Sequence, residues 1–204
     1  MSVPGVILAG GQARRMGGGD KCLLEISGSS ILSHVIKRIA PQVGELAINA
    51  NGDPLRFTSY KLPVISDSFD GFAGPLAGIL TAMEWAAEQG AERVVTVAAD
   101  TPYFPTNLVE RLLSAVGVDR PIALAATMDE NRGLLRHPTF GLWPVDLRGD
   151  LRAALQGGTR KVVAWTDVHG AATALFEARD SEPFFNINTP QDLNEARANP
   201  AVKL

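Results

Sequence analysis

The chain has 204 residues, 46% of them hydrophobic and 20% charged, which suits one compact three-layer core and leaves no room for a second full domain. Its mean hydropathy is +0.06 and no apolar run is long enough to span a bilayer, so a membrane role is not expected. A net charge of −3 without a lysine- or arginine-rich tract argues against a nucleic-acid partner. Cys22 is the single cysteine, so no intrachain disulfide can form, and the N-terminus carries no basic segment ahead of its short apolar run. A cytoplasmic location is the expectation.

Gly5-Val-Ile-Leu8 reads as a short buried first strand. It runs into Ala9-Gly-Gly-Gln-Ala-Arg-Arg-Met-Gly-Gly-Gly-Asp-Lys21, where five glycines and the cations Arg14, Arg15 and Lys21 are gathered. Glycines let backbone N–H groups approach an anion closely, and the cations neutralise its charge. A polyphosphate is the ligand such a loop suits. The spacing is neither a Walker loop, since Cys22 follows Lys21, nor a dinucleotide fingerprint, since no register gives Gly-x-Gly-x-x-Gly.

Ser30 then caps a helix with Ile31, Leu32, Val35, Ile36 and Ile39 on one face, ended by Pro41. Leu46 to Asn49 reads as a second strand before the turn Asn51-Gly-Asp-Pro54, and Leu62 to Ile65 as a third, ending at Ser66-Asp67. The segment Asp70-Gly-Phe-Ala-Gly-Pro-Leu-Ala-Gly78 opens a helix buried through Leu76, Ile79, Leu80 and Met83, with Pro75 in its first turn. Arg93 to Ala99 is a buried strand that delivers Asp100. Leu108, Val109, Leu112, Leu113 and Val116 line the next helix, and Ile122 to Ala126 forms another strand. Alternating strands and amphipathic helices predict an α/β, Rossmann-like three-layer sandwich, a mostly parallel sheet with helices on both faces. Further on, Arg136 to Trp143 looks extended and Val145 to Leu155 helical. Phe185-Asn-Ile-Asn188 alternates, so Asn186 and Asn188 share one side, and Thr189, Pro190 and Asp192 mark a helix start.

In an open parallel sheet, ligands sit beyond the carboxyl ends of the strands. Asn49, Asp67 and Asp100 all belong to that rim, beside the glycine loop. Asp100 suits a magnesium ion shared with nucleotide phosphates, or caps the helix that follows. Asp67 is open to three roles: a second metal ligand, a nucleotide contact or a turn residue. Asn49 offers a donor and an acceptor to a base edge or ribose, or is a strand-end turn residue. The histidines His34, His137 and His169 have no metal-binding spacing, Cys22 reads as a small buried apolar residue, and no nucleophilic set is evident. If the acceptor is itself a phosphate, alignment and charge neutralisation by magnesium, Lys21 and Arg15 suffice.

The run Leu8-Ala-Gly-Gly-x3-Arg-Met-Gly-x2-Asp-Lys21 resembles the signature of small nucleotidyltransferases, and with Gly10-Gly11 after Ala9 it is similar to the molybdenum cofactor guanylyltransferases. Ile48 to Asn51, Asp67, Gly74 to Gly78, Asp100-Thr-Pro102, His137-Pro-Thr139 and Asn186 to Pro190 match the same family in the same order. The resemblance covers nearly the whole chain. It implies a fold of the nucleotide-diphospho-sugar transferase type over residues 1–204, the N-terminal part binding nucleotide and the C-terminal part molybdopterin. It implies transfer of GMP from GTP to molybdopterin, with release of pyrophosphate. Leu8, Ala9, Gly10, Gly11, Lys21, Asn49, Asp67 and Asp100 would contact GTP, Asp100 would bind Mg2+, and Arg15, Lys21 and Asp100 would be catalytic. Asn186 and Asn188 would lie on the pterin side. A monomer in transient contact with other molybdenum-cofactor proteins is the implied state. Two rivals stand beside this reading: the CTP-dependent sister family and a non-catalytic cofactor carrier.

Overall fold

The computed structural model describes residues 2–10, 20–70, 74–177 and 182–198. At its centre is a seven-stranded sheet. Strands β1 (Gly5–Leu8), β4 (Leu46–Asn49), β5 (Val64–Ile65), β6 (Arg93–Ala98), β7 (Ala123–Asp129), β8 (Gly133–Pro144) and β9 (Ala172–Phe176) lie in the order β5-β4-β1-β6-β8-β7-β9. All run parallel except β8, which is antiparallel to both neighbours. A second, two-stranded hairpin joins β2 (Glu25–Ile26) to β3 (Ser29–Ser30).

Successive strand residues point to opposite faces, so one apolar strand feeds two cores. Ile7 and Val95 enter the layer made with α1 (Ile31–Ile39) and α3 (Leu108–Ala115). Val6 and Val94 enter the opposite layer, with α2 (Pro75–Glu88), α4 (Arg148–Gln156) and α5 (Val162–Val168). The expected three-layer α/β sandwich, mostly parallel and helix-covered on both faces, is what forms. A third cluster seats α6 (Pro190–Ala198) on the hairpin through Ile26, Ile31, Tyr103, Ile187, Leu193 and Ala196.

Several local expectations need correcting. Leu113 does not face the core: it is 41% exposed, because α3 ends two residues later and packs only through Leu108, Val109 and Leu112. Residues 185–188 pair with no strand. Ile187 is buried and Phe185 half-buried, and the segment is held by the Ile187 amide donating to the Asp100 carbonyl at 3.0 Å. The third strand shrinks to Val64–Ile65, since Pro63 has no N–H to give a ladder. The helix expected from Val145 begins as a 3-10 turn, Val145–Leu147, before α4. Helix α1, by contrast, ends ahead of Pro41 as expected, stopping at Ile39 and tightening into the 3-10 turn Ala40–Gln42.

Candidate active site

The chain leaves β1 for β4 and β5 on one side, then returns to lay β6 against the other side of β1. Strand order therefore reverses between β1 and β6, where a crevice opens beyond the carboxyl ends. Leu8 and Ala98 face each other across that point, and the Ala99 amide donates to the Leu8 carbonyl at 3.1 Å. Asn49 ends β4 beside them, with its carbonyl accepting from Ala9 N at 2.8 Å.

One wall is built from three polar side chains. Asn49, only 2% exposed, donates from Nδ2 to Asp67 Oδ1 at 2.9 Å and to the Ile65 carbonyl at 3.2 Å. Asn51 donates from Nδ2 to Asp67 Oδ2 at 2.8 Å and accepts from the Asp67 amide at 2.8 Å. Each carboxylate oxygen keeps acceptor capacity beyond these bonds. Helix α2 presses on this wall at Gly78, where an added Cβ would lie 2.5 Å from Asn49 Oδ1 and 3.0 Å from Leu8 Cδ2. Asn49 stands where it does because position 78 has no side chain. The helix opens at Gly74, whose φ of +69° a side chain would strain, and at Pro75, whose missing N–H costs nothing in a first turn.

The opposite wall carries charge. Lys21 Nζ donates to Asp100 Oδ2 at 2.6 Å and to Asn188 Oδ1 at 2.7 Å. Thr101 Oγ1 donates to the other carboxylate oxygen of Asp100 at 3.1 Å. Asp100 thus caps no helix: α3 begins after Asn107, and the Asp100 carboxylate is spent on the rim. Asn188 is itself fixed by a capping box, since Asp192 accepts from the amides of Asn188 and Thr189 at 2.7 and 2.8 Å. Those hydrogen bonds hold the Asp192 carboxyl below the usual carboxylate range.

Two cavities meet here. The first, about 410 Å³, is lined by Asn49, Asn51, Asp67, Gly78 and Asp100 among others. The second, about 350 Å³, is lined by Thr101, Arg136, His137, Glu182 and Phe185 among others. Thr139 and Asn186 line both. His137 stacks on Phe184 with ring centroids 4.2 Å apart, and its Nε2 shares a hydrogen bond with Thr127 Oγ1 at 2.9 Å. Burial lowers its pKa to about 4, so the ring is neutral at physiological pH. Burial, and after it the neighbouring Asp20 carboxylate, pushes the Cys22 thiol up to about 12: it is packing, not a nucleophile.

Structure thus brings Leu8, Gly10, Lys21, Asn49, Asp67, Asp100, Asn186 and Asn188 to one rim. Ala9 is buried just behind it, in the core beneath α1. Gly11, Arg14 and Arg15 lie outside the described residues. Asn186 and Asn188 part company: Asn186 lines both cavities, whereas Asn188 is bonded to Lys21. Sequence reasoning includes Asn51, Gly78 and Thr139 in segments that match the family but assigns them no role, and it misses the aromatic wall of the second cavity. From the sequence Asn51 reads as a turn residue. Only the pairing of β4 with β5 brings it to Asp67, sixteen residues on.

Among the described residues no three His, Cys, Asp or Glu side chains come together as a metal cage. Asp100 instead offers one carboxylate, already holding the Lys21 ammonium, at the edge of a cavity. A single carboxylate of this kind fits magnesium, which takes its remaining ligands from phosphate oxygens and water.

The MobA-like NTP transferase domain matches residues 5–174. A molybdenum cofactor guanylyltransferase of Bradyrhizobium sp. (strain ORS 278) is 50% identical over 199 residues, covering 96% of this chain and 92% of that one. One of the same name from Mesorhizobium japonicum is 47% identical over 199 residues, covering 95% and 94%. The fold is similar to that of molybdopterin-guanine dinucleotide biosynthesis protein A from Archaeoglobus fulgidus. That structure has a TM-score of 0.72 at 20% identity, with 99% of this chain and 100% of the other covered. The crevice at the β1–β6 switch point, with an Asn–Asp wall on one side and a Lys–Asp pair on the other, is that of a chain that belongs to the MobA-like NTP transferase family.

Proposed function

We propose that this protein transfers the GMP moiety of GTP to the terminal phosphate of molybdopterin, giving the guanine dinucleotide form of the cofactor and pyrophosphate. The carrying observation is the meeting of two cavities at Thr139 and Asn186, beside Lys21 and Asp100. GTP would occupy the larger cavity. The Asp67 carboxylate there has only acceptor sites, which suits the adjacent N1–H and 2-amino donors of guanine. The second cavity would take the pterin, with Asn186 between the two substrates and the Phe185 and His137 rings on its wall.

A terminal phosphate is ionised at neutral pH, so one of its oxygens can bond the α-phosphorus without a general base. As that bond forms, the bond from the α-phosphorus to the bridging oxygen breaks, and pyrophosphate leaves with the electron pair. Lys21 would release Asp100 and neutralise phosphate charge, a task that Arg15 and the backbone N–H groups of Gly10 and Gly11 would share. Magnesium bound at Asp100 would supply further charge neutralisation on the phosphates. A cytoplasmic monomer, passing its product to other molybdenum-cofactor proteins, completes the reading.

The test is pyrophosphate release with magnesium and molybdenum-loaded molybdopterin, comparing GTP, CTP and ATP, for the wild type and Asp100→Ala. Turnover with GTP, at least a hundredfold lower in the variant, is expected, in line with the loss of about 3 kcal/mol of transition-state charge stabilisation. Preference for CTP would move the protein to cytidylyl transfer. GTP binding without turnover, unchanged by the substitution, would leave a carrier.

A further inference from the structure

Behind the base-side wall lies Arg56, in the 3-10 turn Pro54–Tyr60. Its guanidinium reaches in three directions. Nε lies 2.6 Å from Asp20 Oδ2, in an ion pair whose side chains are 25% and 23% exposed. Nη2 donates to the Asn51 carbonyl at 2.6 Å, and Nη1 donates to the Asp53 carbonyl. The guanidinium carbon lies 4.6 Å from the centroid of the fully buried Phe57 ring, which fixes the fork from below. Asp20 directly precedes Lys21, and Asn51 makes two of the hydrogen bonds that orient Asp67. Arg56 thus joins the end of the glycine-rich loop to the carboxylate facing the nucleotide cavity. The joint spans segments that no backbone ladder connects.

We infer that Arg56 is a positioning residue, touching no substrate, that keeps the base-reading carboxylate Asp67 and the phosphate-binding Lys21 in register through Asn51 and Asp20. The role needs a planar fork: Nη1 and Nη2 must donate to two carbonyls while the same guanidinium holds the Asp20 carboxylate by charge, Nε making no hydrogen bond of its own. It also needs a fixed charge, because the Asp20 carboxylate it holds belongs to the residue directly before Lys21. Removing the guanidinium frees the Asn51 backbone, loosens Asp67 and leaves Asp20 to compete for the Lys21 ammonium. The inference rests on the guanylyl-transfer reading for the identity of its ligand.

The experiment measures binding of GTP and of ITP, which lacks the 2-amino group, by calorimetry, and steady-state kinetics with GTP, for wild type, Arg56→Ala and Arg56→Lys. In Arg56→Ala, GTP binding is expected to weaken about tenfold, the loss of one charge-assisted hydrogen bond. The preference for GTP over ITP should shrink, KM should rise more than kcat falls, and millimolar guanidinium should restore part of the binding. Arg56→Lys, lacking the fork, should restore less than half of the discrimination. Far-ultraviolet circular dichroism establishes that each variant is folded, and a misfolded Arg56→Ala moves the comparison to Arg56→Lys. A folded variant with wild-type GTP affinity and an unchanged GTP-to-ITP ratio overturns the inference. Wild type that binds neither nucleotide overturns the guanylyl-transfer reading instead.

Discussion

At the scale of the residue, position 78 shows how an absent side chain can set a site. Replacing a glycine inside a helix by alanine normally stabilises by about 0.5–1 kcal/mol. In Gly78→Ala that gain meets a Cβ placed 2.5 Å from Asn49 Oδ1, and the asparagine, short and buried, must give way. Asp67 then loses the donor on its Oδ1. We expect a melting temperature within a few degrees of wild type but GTP binding at least tenfold weaker, measured by calorimetry; unchanged affinity would mean that Asn49 does not need its observed place. Sequence alone offered a glycine in a helical pattern, where a packing reason is the usual one. The contact responsible lies 29 residues away on β4, beyond the reach of any local pattern.

At the scale of the element, α6 is the informative case. Thr189, Pro190 and Asp192 gave the helix start from sequence, and the capping box forms with Asp192 Oδ2 accepting from Asn188 N and Thr189 N and Thr189 Oγ1 accepting from Asp192 N at 3.1 Å. Its depressed carboxyl pKa means that this stabilisation is complete above the ordinary aspartate range and is lost as pH falls through the lowered folded value. Asp192→Ala should cost about 1 kcal/mol, or a melting shift of roughly 2–4 °C for a domain of this size. Because the same cap holds Asn188 against Lys21, activity should fall by more than the lost stability explains; equal losses would confine the cap to structure. The 185–188 segment keeps its alternation without pairing as a strand. Period-two burial holds for Ile187, but that side chain is buried by α6 and the β2–β3 hairpin and not by the central sheet. Burying it contributes roughly 2 kcal/mol, enough to fix an unpaired segment.

At the scale of the whole molecule, the two cavities depend on layers that converge from distant parts of the chain. His137 belongs to β8, yet it stacks on Phe184 and bonds Thr127 of β7. With its pKa lowered to about 4 by burial, the unfolded chain takes up a proton that the folded protein refuses. Its contribution to stability is therefore full above pH 6.5 and lost as pH falls toward 4. We expect the ring proton resonances of His137 to stay constant from about pH 8 to 5, and denaturant midpoints to fall across the acid window less steeply in His137→Gln than in wild type. A ring that titrates near neutrality would contradict this.

The sequence by itself determined the first strand, the alternation of strands and helices from α1 to β7, and the rim positions of Asn49, Asp67 and Asp100. These follow from hydrophobic period and turn chemistry, both local. It did not determine that β8 runs antiparallel, that β9 completes the sheet, or that Asn51, Arg56 and Gly78 shape the nucleotide wall. Nor did it separate Asn188, which holds Lys21, from Asn186, which lines the cavities. Those outcomes depend on which surfaces pack together once the sheet twists and its layers close. Side chains far apart in sequence then share hydrogen bonds whose partners no local window contains.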